Sequence, residues 1–344
     1  MKRHFIFSIL LLVGLSSCTT SSVLISMQRP ADITISQDIQ NVIVVNRSLP
    51  SKDNLADNIV EGFISGEGMG SDRKGAEYCI NGLSNMLGNS ERFTLKNAGG
   101  IELKGTGTSS FPIPLDWNEV KSICGSYDGD ALLVLETFDS DSRVIVGSPV
   151  SRIRKVKAVK VKELRYPATL IMNVESGWRI YDVNKERIVD ENKFSELKEF
   201  KAWGYSPEEA QLNLPSRRIA IQQSGIYAGE QYGFRISPIW VRANRTCYVG
   251  KYKELKIAKQ YIQSRDWDAA IKIWMPLTNN LDKKLARRAA FNMALASEAK
   301  GGLDAAIDWA NKAKKLGEKK AHNYINVLHI RRINEEKLKQ QLNN

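Results

Sequence analysis

Two segments near the end of this 344-residue chain match each other at a fixed offset, and this constrains the fold more tightly than any other feature of the sequence. Ala258–Ile271 recurs 36 residues later as Ala294–Ile307, each copy ending in Asp-Ala-Ala-Ile, at Asp268–Ile271 and Asp304–Ile307. Small residues at Ala258 and Ala294 let a second helix approach closely, so each copy reads as a helix–turn–helix pair. A pair of this kind cannot bury its hydrophobic face alone, and stacks of them normally need three or more units. Here two pairs are followed by a final helix from about Ala321 to Leu338, so they are expected to dock on other structure.

The preceding residues carry a different pattern. Ile39–Val45 is a β-branched run suited to a buried strand, Asp72–Leu87 has helical spacing between an N-cap aspartate and Gly88, and Arg92–Lys96 is a short strand. A second helix opens at Leu115 and Asp116 and runs to Cys124 and Gly125, and Ala131–Phe138 is another apolar strand. In Thr169–Tyr181, Leu170, Met172, Val174, Trp178 and Ile180 share one face, and Arg187–Phe194 returns as a hairpin partner. Helices from Ser206 and from Arg217 to Phe234 follow, then a strand or packed arm over Ile239–Val249. The expected fold is α+β: a mixed-sheet α/β sandwich over residues 37–250, then an all-α helical hairpin domain over 251–344. The glycines of Gly66–Gly70 lack the Gly-Lys-Ser/Thr ending of a phosphate loop and read as a linker.

At the N-terminus, Lys2 and Arg3 precede the apolar run Phe5–Val13, which is too short to span a bilayer, and Leu15-Ser16-Ser17-Cys18 follows. This ending resembles the lipobox of bacterial lipoproteins. The resemblance implies a signal peptide over 1–17, lipidation of Cys18, and a lipidated tether over the Ser/Thr-rich residues 18–36. Two or three acyl chains would hold the protein durably, at roughly 0.8 kcal/mol per buried methylene. Thr19 stands where an aspartate would favour inner-membrane retention in such lipoproteins, and no acidic run follows Cys18, so a periplasm-facing place in the outer membrane is expected.

The strand–helix order of residues 37–235 resembles a periplasmic α/β module in the amino-terminal domain of the Tol system's propeller protein, in the curli-secretion lipoprotein, and in lipoproteins that activate penicillin-binding proteins. The repeats resemble the tetratricopeptide family, with Phe291-Asn292-Met293 where that family often has Tyr-Asn-Leu; Ser297 and Pro276 depart from its pattern. The whole chain resembles Bacteroidetes-type lipoproteins classed as a domain of unknown function. In the tetratricopeptide family the first helix of each pair lines a concave surface. That implies a partner site at Tyr252, Lys259, Gln263, Arg288, Leu295 and Glu298, where Lys259 and Arg288 would grip an acidic peptide.

Charge is unevenly placed. Residues 251–344 hold 20 Lys and Arg against 10 Asp and Glu, whereas residues 18–250 hold 28 of each. Arg152, Arg154, Lys155, Lys157, Lys160, Lys162 and Arg165, interleaved with Ile153, Val156, Val159 and Val161, read as a solvated hairpin or as a patch for anionic lipid, glycan or a partner. Cys79, Cys124 and Cys247 have no zinc-site spacing and read as buried small hydrophobes or as one disulfide and a free thiol. His322 and His329 belong to no metal or nucleophile motif. No catalytic, metal or cofactor site is therefore assigned, and the compartment argues against nucleic acid. The expected function is an outer-membrane lipoprotein serving as a protein-binding scaffold or assembly factor, with binding of an anionic envelope polymer or lipid second and a glycan-active enzyme third.

Overall fold

The computed structural model describes residues 19–49, 71–101, 103, 105–156 and 159–343. The chain divides into two compact units, one comprising the N-terminal residues to Arg29 with Trp240–Lys337, the other Pro30–Ile239 with Leu338–Asn344. The structure is mixed α/β, with a helical C-terminal region.

In the α/β unit, β2 (Asn41–Asn46) lies between β3 (Thr94–Asn97) and β4 (Ala131–Val146), parallel to both. β4 then pairs antiparallel with β6 (Val159–Asp182), which also pairs antiparallel with β5 (Val150–Val156) and β7 (Arg187–Gly204). Val42–Val45 are all buried, as a strand covered on both faces requires. One face packs Val42, Val44, Leu133, Leu135 and Trp178 with α1 (Ser71–Gly88). The other packs Ile43, Val45, Leu132, Val134 and Tyr181 with α2 (Trp117–Tyr127), which Asp116 caps by accepting from Asn118 N. The alternation along β6 follows the expected pattern: Leu170, Met172, Val174, Trp178 and Ile180 are all buried.

After the short α3 (Pro207–Leu212), α4 (Arg217–Ile236) crosses α1 through glycines. A Cβ at Gly229 would stand 1.8 Å from Cys79 O, and one at Gly82 would stand 2.1 Å from Ile226 O. The two backbones therefore touch where side chains would hold them apart. Tyr232 of α4 stacks on Trp178 at 4.7 Å between ring centroids and donates its hydroxyl to Asp190. Cys79, Cys124 and Cys247 are free and buried, and burial pushes the Cys124 thiol up to about 12.

The tether expected over 18–36 is corrected. Thr20–Arg29 forms β1, paired with β8 (Ile239–Tyr248) in a two-stranded sheet of the helical unit. Ile25 is buried in that unit's core, with Val23 and Met27 packed against it, so a period-2 pattern runs through the Ser/Thr-rich stretch. Ala31 and Ile35 are buried as well, in the α/β unit. The expected boundary at 250 moves to about 240, and the chain's last residues from Leu338 return to the α/β unit, where Gln341 Nε2 donates to Ala31 O and Ala31 N donates to Gln341 Oε1.

The helical unit continues with α5 (Lys253–Gln263), α6 (Trp267–Leu277), α7 (Lys283–Ala299), α8 (Leu303–Lys315) and α9 (Lys320–Asn343). Equivalent positions of the two repeats are buried alike: Ala258 and Ala294, Ala270 and Ala306. Asp266 caps α6 by accepting from Ala269 N, and Asp282 caps α7 by accepting from Lys284 N and Leu285 N. Pro276 lies in the last turn of α6, which ends one residue later.

Candidate functional site

Two tyrosines and a group of cations come together at the junction of β8 with the helices. Asn292 holds the end of β8: its Oδ1 accepts from Tyr248 N and its Nδ2 donates to Tyr248 O, both at 2.8 Å. Tyr252, the residue before α5, donates its hydroxyl to Asp282 Oδ2 at 2.7 Å. From α7, the Arg288 guanidinium lies 4.8 Å from the Tyr248 ring centre and 5.9 Å from that of Tyr252. Lys320 approaches the Tyr248 ring at 5.6 Å and Lys251 the Tyr252 ring at 5.3 Å.

Arg288 is only 7% exposed, yet it makes no hydrogen bond or ion pair among the described residues, and its buried Nη1 has no acceptor. The neighbouring carboxylates are already engaged. Glu318 accepts from Tyr248 Oη at 2.8 Å and pairs with Arg287 at 3.6 Å; Asp282 accepts from Tyr252 and caps α7. The cations repel one another, and Lys251 and Arg288 hold the Lys284 ammonium below its usual range. Burial, then the Glu318 hydrogen bond, raise the Tyr248 phenol, so it stays a neutral donor. The result is a cluster of cations around two tyrosine rings, with Arg288 lacking a carboxylate partner among the described residues.

The expected partner-binding residues divide. Tyr252 and Arg288 come together here; Lys259 and Gln263 lie exposed on α5. Leu295 and Glu298 are fully buried, which corrects their placement on an open concave surface. Glu298 stands 36 residues after Ile262, in the equivalent core position. Its charge is tolerated there because Arg245, Tyr324 and Arg331 all donate to it, at 2.8, 2.5 and 2.8 Å. Burial works to raise that carboxyl, and these donors hold it below the usual range. Arg288 is likewise inside rather than on the open surface. Sequence reasoning missed Tyr248, Lys251, Lys284, Arg287 and Lys320, although the Lys283–Arg288 segment carries four cations in six residues.

On the hairpin, Arg154, Lys160 and Lys162 are exposed, Lys155 lies opposite Lys160 on the strand pair, and Lys157 falls outside the described residues. Arg152 stacks 3.8 Å from the Trp203 ring centre, and Arg165 stacks 3.4 Å from that of Tyr205. Cys18 and the Gly66–Gly70 linker also fall outside the described residues. A cleft of about 550 Å³ in the α/β unit is lined by Val144, Leu170, Leu212, Pro215, Glu208 and Arg217. Beside it Asp72 accepts from Ser140 Oγ at 2.6 Å, and burial pushes its carboxyl up to about 6. Among the described residues no group of three or more His, Cys, Asp or Glu is placed to hold a metal ion, and no helix is long and apolar enough to cross a membrane.

No curated protein matches the sequence. Among solved structures, a neuraminyllactose-binding hemagglutinin homologue from Helicobacter pylori aligns at 9% identity with a TM-score of 0.25, covering 59% of this chain and 86% of that one. Residues 256–335 match the family described as Domain of unknown function (DUF6340). Residues 39–248, more than half of the sequence, match Domain of unknown function (DUF8603), and the chain belongs to that family.

Proposed function

We propose that this protein is an outer-membrane lipoprotein, facing the periplasm, that acts as a non-catalytic scaffold for a protein partner. The observation that supports this reading is the outer face of α5. There Ile257 and Tyr261, 43% and 37% exposed, stand one turn apart and are flanked by Lys256, Lys259 and Gln263. Two apolar anchors at i and i+4 within a basic rim suit an amphipathic segment carrying acidic residues. The likeness of the strand–helix order to envelope-assembly modules points the same way, by analogy only. The test is crosslinking in cells, comparing the wild type with Lys259→Glu/Tyr261→Ala at equal abundance. One dominant protein adduct lost in the variant is the expected result; an adduct pattern that the variant leaves unchanged would overturn the assignment to α5.

A second reading, binding of an anionic envelope polymer, rests on the hairpin, where Arg154, Lys160 and Lys162 are exposed beside Ile153, itself 70% exposed. Retention of purified protein on isolated cell-wall material, lost on Arg154→Glu/Lys162→Glu, would favour it over the scaffold.

A further inference from the structure

We propose that the cationic cluster around Arg288 binds the phosphate of an anionic lipid headgroup in the membrane that holds the acyl anchor. This rests on the lipid-anchoring part of the proposed function and is independent of the partner on α5.

Three observations carry it. First, Arg288 is a desolvated cation without a carboxylate. Cation–π contact with Tyr248 and Tyr252 returns only part of what its burial costs. Its buried Nη1 has no acceptor among the described residues, so the guanidinium charge is left for a neighbouring anion to balance. Second, exposed Lys251, Lys284 and Lys320 and half-buried Arg287 belong to the same cluster, while Glu318 and Asp282 are occupied by tyrosine hydroxyls. A phosphate offers several acceptor oxygens at once, matching the fork of one arginine and the point charges of lysines. Third, the place is right. Thr19 O accepts from Val249 N at 3.1 Å and from Gly250 N at 3.3 Å, and Lys251 is the next residue. Cys18 is joined to Thr19 by a peptide bond, which sets their Cα atoms about 3.8 Å apart. Acyl chains attached there would bring headgroups to the edge of the cluster, where lysines attract anionic lipid at about 1 kcal/mol each.

The test uses residues 18–344 with Cys18→Ser, so that no acyl chain contributes, and sedimentation with vesicles of phosphatidylglycerol in phosphatidylcholine or of phosphatidylcholine alone. Binding to the anionic vesicles only is expected. Lys251→Glu/Lys284→Glu, both changes at exposed positions, should weaken it at least ~10-fold. Arg288→Leu should weaken it too while raising the Tm of the unbound chain by ~2 °C or more, because it removes an uncompensated buried charge. A fall in Tm would mark Arg288 as merely structural and overturn the proposal. So would equal binding to neutral vesicles, or indifference to the Lys251 and Lys284 reversals. Inorganic phosphate that stabilises the chain when anionic vesicles do not bind would show a site for free anion and overturn the lipid source. Lys259→Glu/Tyr261→Ala should leave vesicle binding intact, so that failure here and failure of the α5 partner are told apart.

Discussion

At the residue scale, buried charge governs this protein, and each instance is either compensated or left open. Glu298 is compensated. Removing it as Glu298→Ala would strand Arg245 and Arg331, which are only 15% and 16% exposed in their side chains, and should destabilise the helical unit by about 3–5 kcal/mol, read as the shift in urea midpoint. Glu298→Ile, although it restores the residue type of the equivalent Ile262, should be nearly as harmful, because the two guanidinium groups remain. Asp72 is under-compensated: burial raises its carboxyl to about 6 against an ordinary value near 3.8, with Asp139 and Asp141 adding repulsion and the Ser140 hydrogen bond opposing it. The folded state thus binds this proton more tightly than the unfolded chain does. Its stabilising contribution is present in full below about pH 4 and is lost as pH rises through 6. Asp72→Asn should remove up to about 2 kcal/mol of pH-dependent stability between pH 4 and 7, so that variant and wild type converge at low pH and the variant is more stable at pH 7. Equal pH slopes for the two would contradict this.

At the scale of elements, what was legible in the sequence depended on whether one short window held the whole signal. Leu170, Met172 and Val174 alternate because one face of β6 is buried, and period 2 survives in any reading of that window. The same alternation in Val23, Ile25 and Met27 is hidden among Ser21, Ser22 and Ser26, a composition that reads as linker until β8 supplies the partner strand. Deleting residues 19–28 should therefore lower the thermal stability of the helical unit, whereas a tether would be dispensable. The glycines at 225, 229 and 233 recur every four residues on α4, a spacing visible in the sequence whose meaning came only with α1 against it. Gly229→Ala, which would place a methyl group against the Cys79 carbonyl, should destabilise by about 2–3 kcal/mol, and an unchanged urea midpoint would refute the close crossing.

For the whole molecule, the charge asymmetry seen in the sequence takes on a definite location. The excess cations of residues 251–344 supply Lys284, Arg287, Arg288 and Lys320 to one cluster, in the same unit as the Thr19 contacts with Val249 and Gly250. The sequence pointed to Tyr252 and Arg288 through the repeat pattern, but it could not show that Arg288 turns inward, since that depends on Tyr248 from a preceding strand and on Asn292 fixing it. The central claim is that the helical unit works at a membrane surface, with lipid at its cationic cluster and a protein on α5. Site-specific photocrosslinking of the acylated protein in cells tests this most directly, with the probe at Lys251 or at Gln260, an exposed residue of α5. Lipid adducts from the first position and one protein adduct from the second are the predicted result. Protein adducts at Lys251, or lipid adducts at Gln260, would contradict the account.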